Sequence, residues 1–242
     1  KTRSRQLVRL SNDLADMTPN AVTPELLLEW FESKTWARET RRSARDAVNG
    51  FYQWAVMSGL RVDNPATVLP HVQRSTPNPH PCPDEVIRDA ISRATPDVRM
   101  MIRLGAECGL RRNEIAQVAA GDVLDGGDCY SLIVHGKGGR QRIVPMPDNL
   151  AREVISCGGY CFPGRFGGPV EASYVGKRVG RLMPNGWSCH SLRHRYATKL
   201  YAETRDILLV SKLLGHTKVE TTQAYVAIPA IGLRETMKAM AV

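Results

Sequence analysis

The side chains best suited to chemistry crowd into one stretch, Cys189 to Val226, which reads C-H-S-L-R-H-R-Y-A-T-K-L-Y-A-E-T-R-D-I-L-L-V-S-K-L-L-G-H-T-K-V-E-T-T-Q-A-Y-V. Two histidines (His190, His216), an arginine (Arg193) and a tyrosine (Tyr225) fall at the starts and ends of successive short helical patterns, close enough in sequence to converge. Arginine brings permanent charge and a two-pronged donor for an oxyanion. Histidine trades a proton near neutral pH, and tyrosine offers an oxygen nucleophile. Together they suit attack on a phosphodiester.

The elements that must carry these groups are mostly helical. Apolar periodicity predicts helices over Asn149–Cys157, Ser173–Leu182, Ser191–Glu203, Asp206–Leu214 and Val219–Tyr225. Upstream, one helix follows Pro83 and another follows Pro96, the second stopping at Gly109. A helix restarts in G-L-R-R-N-E-I-A-Q-V, which puts Arg111 at a helix start and Glu114 one turn further on. Cys129–Val134 and Gln141–Met146 alternate as strands, and H-G-K-G-G-R between them makes a hairpin with Lys137 at its tip.

The first third of the chain is a separate helical block. Leu7, Leu10 and Leu14 repeat at helical spacing, and Thr23 caps a pattern of Leu26, Leu27 and Trp30. Trp36 to Ser58 carries an apolar stripe of Ala44, Val48, Phe51, Tyr52 and Ala55, while Arg38, Arg41, Arg42 and Arg45 share another face. Those arginines suit either solvent or phosphate. Five prolines between Pro70 and Pro83 predict an extended connector. The expected organisation is a helical domain over 1–70, a linker over 71–83, a second domain over 84–228 and a tail helix over 229–242. The fold class is mainly α (α+β), with one small antiparallel sheet.

Other chemistries fit poorly. Gly136-Lys137-Gly138 lacks the P-loop frame and sits in a hairpin. His190 and His194 are spaced as in a zinc-protease helix, but Ser191 stands where the glutamate belongs. The six cysteines show no C-x2-C pair, so reduced thiols and no metal are expected. No apolar run approaches the roughly 20 residues of a membrane span, and nothing resembles a signal peptide. The net charge of +9 suits a polyanionic partner without requiring one.

The motifs in order resemble those of the tyrosine site-specific recombinases of the phage integrase family. They are Gly109-Leu110-Arg111-Arg112-Asn113-Glu114, the hairpin Lys137, His190-Ser191-Leu192-Arg193-His194, Leu214-Gly215-His216 and Thr221-Thr222-Gln223-Ala224-Tyr225. The resemblance is tight over 84–228 and looser in the first block, where the W-A-x-x-T and F-Y-x-W-A segments and Asn64-Pro65-Ala66 look like a SAM-like core-binding domain. The separate N-terminal arm-site domain of some phage integrases is not visible in the sequence.

The resemblance implies site-specific DNA recombination without a cofactor. Tyr225 would attack the scissile phosphate and form a 3′-phosphotyrosyl bond, conserving its energy for resealing. Arg111 and Arg193 would hold the non-bridging oxygens. Lys137 would protonate the departing 5′ hydroxyl, His190 would act as the acid/base partner, and His216 would donate to the phosphate. Glu114 would position an arginine or histidine. The partner would be double-stranded DNA, contacted also by Arg38, Arg41, Arg42 and Arg45 as two basic lobes close on it. Four protomers would exchange strands through a Holliday junction, with the tail helix docking on a neighbour. The expected location is the cytoplasm of a bacterial host. A type IB topoisomerase and a DNA-binding regulator without catalysis are the alternatives.

Overall fold

The computed structural model describes residues 2–15, 17–74, 80–136, 138–184 and 186–215. It divides into two compact units, Lys1–Thr76 and Pro77–Val242. The expected helix over Val219–Tyr225 and the expected tail helix lie outside the described residues.

The first unit is built from α1 (Thr2–Asp13), α2 (Pro24–Glu32) and α3 (Arg38–Met57), closed by a short 3-10 turn at Pro65–Val68. Thr23 caps α2 by accepting from the Leu26 amide, and a proline opens that helix, as its sequence predicts. Leu10, Leu27, Trp30, Phe31, Ala44, Val48 and Tyr52 form its core. Trp30 combines apolar burial with a polar tie, its indole N–H donating to Asp13 at 2.8 Å.

The second unit begins with α4 (Asp84–Arg93) and α5 (Pro96–Glu107), then the five-residue α6 (Arg112–Ala116). Three strands follow, β1 (Val123–Asp125), β2 (Tyr130–His135) and β3 (Gln141–Met146), in an antiparallel sheet ordered β1-β2-β3. The last two match the expected hairpin within a residue; β1 is an addition. Period-2 alternation turns Leu132 and Val134 of β2, and Val144 and Met146 of β3, into the core.

Four helices complete the described chain: α7 (Asp148–Ser156), α8 (Ala172–Gly180), α9 (Cys189–Thr204) and α10 (Ile207–Leu214). Helix α5 is buried through most of its length and packs on α9. Gly105 permits that approach, since a Cβ there would lie 3.0 Å from Leu192. At the end of α5, Gly109 adopts φ +65, and a Cβ would come within 2.4 Å of the Tyr196 ring. Only glycine satisfies both demands.

The structure adds contacts to the proline-rich segment. Its described residues 80–82 are tied to α9: the His80 amide donates to Nδ1 of His194 at 3.0 Å, and the Cys82 amide to the Ser191 carbonyl at 3.1 Å. Cys82 belongs to the core of the second unit. The backbone groups that prolines leave unpaired locally find long-range partners here.

Candidate active site

Arg111 is the residue just before α6, with extended backbone (φ −75, ψ 152), so the helix starts by projecting its side chain. Glu114 reaches back one turn. Its Oε2 accepts from the Arg111 amide at 2.8 Å, and its Oε1 from Arg111 Nη1 at 2.9 Å. The carboxylate thus satisfies an otherwise orphaned N-terminal amide while fixing the guanidinium.

Glu114 also meets Arg142 of β3 fork to fork, Nη1 to Oε1 and Nη2 to Oε2, both at 2.8 Å. Arg193 approaches the same carboxylate at 3.7 Å. One buried acid therefore serves three guanidinium groups. Burial alone would push the Glu114 carboxyl up, but the Arg142 hydrogen bonds and charge, the Arg111 amide and the Arg193 charge outweigh it and hold the group at about 2.

Arg193 projects from α9 and is almost wholly buried. It donates to the Gly109 carbonyl at 2.7 Å and to the Leu214 carbonyl, joining the ends of α5 and α10. Arg111 Nη1 also reaches the Leu214 carbonyl at 3.4 Å, and Arg142 Nε donates to that of Leu213 at 2.7 Å. The last carbonyls of α10 carry partial negative charge and are natural acceptors for these cations.

His190 sits in the first turn of α9, capped by Ser188, whose hydroxyl accepts from the His190 amide at 3.3 Å. Its ring reaches solvent, yet partial burial, and then the charges of Arg193 and Arg111, lower its pKa. The neutral ring, a proton acceptor, is favoured at pH 7. His194 lies against it, ring centroids 4.4 Å apart. Burial, followed by the charges of His190, Arg193 and His80, pushes His194 down to about 4. With Nδ1 accepting from the His80 amide, the neutral ring carries its proton on Nε2.

These side chains open onto a cavity of about 620 Å³ lined by Arg111, Arg112, Arg193, His190 and, from α8, Ser173 and Lys177. Among the described residues, the wall holds four cationic side chains and no carboxylate. A volume in the range of roughly 300–1,000 Å³ takes a ligand larger than one phosphate group.

The expected set is thus brought together in part. Arg111, Glu114, His190 and Arg193 converge; Lys137, His216 and Tyr225 lie outside the described residues. In the first unit three of the four arginines of α3 have internal partners. Arg42 pairs with Glu39 and Asp46, Arg41 lies over the Phe31 ring at 4.4 Å, Arg45 donates to the Leu69 carbonyl at 3.3 Å, and Arg38 is exposed. The sequence reading missed Arg142, His80 and His194. Arg142 shares the parity of the buried Val144 and Met146, the one local signal that it points inward.

Residues 85–230 match the phage integrase family, and the protein belongs to that family. Tyrosine recombinase XerC of Xylella fastidiosa (strain 9a5c) is 36% identical over 74% of this chain and 66% of its own length. Tyrosine recombinase XerC of Rhodospirillum centenum (strain ATCC 51521 / SW) is 31% identical over 79% of this chain and 62% of its own. The chain therefore spans just under two thirds of the length of these curated relatives. Among solved structures, the XerH site-specific recombinase in its post-cleavage complex with palindromic difH substrate aligns with a TM-score of 0.75 at 18% identity, covering 98% of this chain and 78% of that one. A lambda integrase dimer bound to a COC′ core site aligns with a TM-score of 0.71 at 17% identity, covering 93% and 70%. At these identities the structural likeness establishes a shared fold.

Proposed function

We propose that the protein is a site-specific recombinase that cleaves and rejoins double-stranded DNA through a 3′-phosphotyrosyl intermediate. The convergence of Arg111, Arg193 and neutral His190 on one cation-lined cavity carries this reading. Two guanidiniums grip the non-bridging oxygens of the scissile phosphate, and His190 takes the phenol proton as Tyr225 attacks phosphorus. The bond to the 5′ oxygen breaks as Lys137 supplies its proton, and His216 donates to the phosphate. Attack by a 5′ hydroxyl then reverses the step and frees Tyr225. Glu114 holds Arg111 in place. The names of the sequence relatives and the DNA-bound recombinases of like fold support the assignment.

The finer reading is integration or excision of viral or mobile DNA, with four protomers on two sites, inside the bacterial cell that holds both partners. The XerC name of the relatives favours a second reading, recombination within the host's own replicon. One experiment tests both. The protein is incubated with nicked duplexes randomised around the nick, and covalent adducts are captured under denaturing conditions. Adducts that vanish with Tyr225→Phe support strand cleavage, and the captured sequences map to a mobile element's ends or to the chromosome. No adduct with the unaltered protein overturns the proposal.

A further inference from the structure

Arg142 lies outside every motif that resembles the family's, yet it makes several of the site's closest contacts. Strand β3 explains how it reaches them. Arg142, Val144 and Met146 alternate on one face, and the last two are buried, so pairing with β2 in the register Val134↔Arg142 aims the guanidinium inward. Only 12% of the side chain is exposed.

From that position one planar group closes two links. Both Nη atoms bind Glu114, the carboxylate that holds Arg111, while Nε binds the Leu213 carbonyl near the end of α10. The stem also packs on the turn that follows: a Cβ at Gly215 would meet Arg142 Cδ at 3.0 Å, and Gly215 takes φ +65. His216 is the next residue.

We infer that Arg142 is a positioning residue that locks Arg111, through Glu114, to the end of α10; the inference rests on the strand-cleavage reading above. The same strand belongs to the hairpin that carries Lys137. A single guanidinium thereby sets the spacing between three separate parts of the chain. Lysine is a point charge without the fork, and cannot hold the carboxylate and the carbonyl in the same geometry.

The test compares the unaltered protein with Arg142→Lys and Arg142→Met. Deuterium uptake across Val210–Gly215 is measured without DNA, together with the melting transition. DNA affinity and the first-order cleavage constant at saturating protein are then measured on a duplex recovered from the nicked library. For Arg142→Lys we expect a melting transition and DNA affinity close to those of the unaltered protein, faster exchange at the end of α10, and cleavage slowed about 10²-fold. Millimolar guanidinium ion should restore part of the rate to Arg142→Met. Unchanged exchange and unchanged cleavage in Arg142→Lys would overturn the inference, as would a loss that merely follows the melting transition. Should Arg142→Met fail to fold, Arg142→Lys alone decides. Absence of an adduct from the unaltered protein refutes strand cleavage, and the DNA-free exchange result still judges the positioning role.

Discussion

The Arg193 guanidinium donates to the carbonyl of Leu214, and through its other arm to that of Gly109, with only 1% of the side chain exposed. Both carbonyls precede or belong to residues at helix ends where the chain turns through positive φ, Gly109 and Gly215. Arg193 is therefore part of the core as well as of the cavity wall, whereas 43% of the Arg111 side chain is exposed.

That contrast separates two substitutions. Arg193→Ala should lower stability by about 3 kcal/mol, because it empties a buried site, takes the donor from the Gly109 carbonyl, leaves the Leu214 carbonyl only its longer bond from Arg111 and removes a positive charge from beside Glu114. Arg111→Ala should cost about 1 kcal/mol or less, while cleavage falls about 10²–10³-fold. Urea unfolding alongside adduct formation measures both, and equal stability losses would contradict the difference in burial.

Acid should weaken the fold through His194. The ring takes its proton near 6.5 when unfolded and about 4 when folded, because of burial and the neighbouring His190, Arg193 and His80. Between those values the unfolded chain binds more protons, so stability falls as pH drops from 6.5 and stops falling for this group below about 4. The full loss is on the order of 3 kcal/mol. His194→Gln should flatten this window in melting curves recorded across it.

The pKa of His190 is lowered from 6.5, so its neutral form persists below that pH. The acid limb of the cleavage profile should accordingly fall below pH 6.5, and a limb above it would assign the general base elsewhere.

The cavity's outer cations, Arg112 and Lys177, have no expected part in bond breaking. Removing either should weaken DNA binding while leaving the saturated cleavage constant within about threefold. Each loss should shallow the salt dependence of affinity by about one phosphate contact. Titrations across a range of salt would reveal an unchanged slope if these side chains never touch the backbone.

Thiol chemistry gives a check independent of DNA. Cys129 and Cys157 are exposed, whereas Cys82, Cys108 and Cys189 are buried and burial raises their pKa values to about 11, 12 and 11. Iodoacetamide at neutral pH should label the exposed pair first, with the buried three reacting only on unfolding. Early labelling of Cys189 would mean that the cavity opens further than the structure allows.

Much of this was legible in the sequence where local rules decide. The apolar stripe of α3, the Thr23 cap and the alternation of β3 each encode their own element within a few residues. Strand β1 is three residues long, too short for alternation to register. The two motifs that carry Arg111 and the pair His190 and Arg193 predicted a meeting that tertiary packing delivers. Contacts spanning the chain were invisible: His80 bonds a residue 114 positions away, and composition alone makes its segment a plain connector. The arginines of α3 show the middle case. Glu39 and Asp46 stand at helical spacing from Arg42, a local signal of pairing that the reading of these arginines as solvated or phosphate-bound did not use, whereas the stacking of Arg41 on Phe31 joins two helices and has no local signal.

Gathering Arg111, Arg142 and Arg193 around Glu114 leaves a cluster with a net charge of +2. Three bare guanidiniums would repel one another and resist burial before any anion arrived. The carboxylate and the carbonyl oxygens at the end of α10 act as a resident counter-ion, so the cluster exists ahead of its ligand. A phosphodiester brings one negative charge and gains a second as the attacking oxygen closes on phosphorus. On the proposed reading, the leftover +2 equals the charge at that crest rather than the charge of the bound starting state, so the cluster would favour the passage between strands more than the holding of either one.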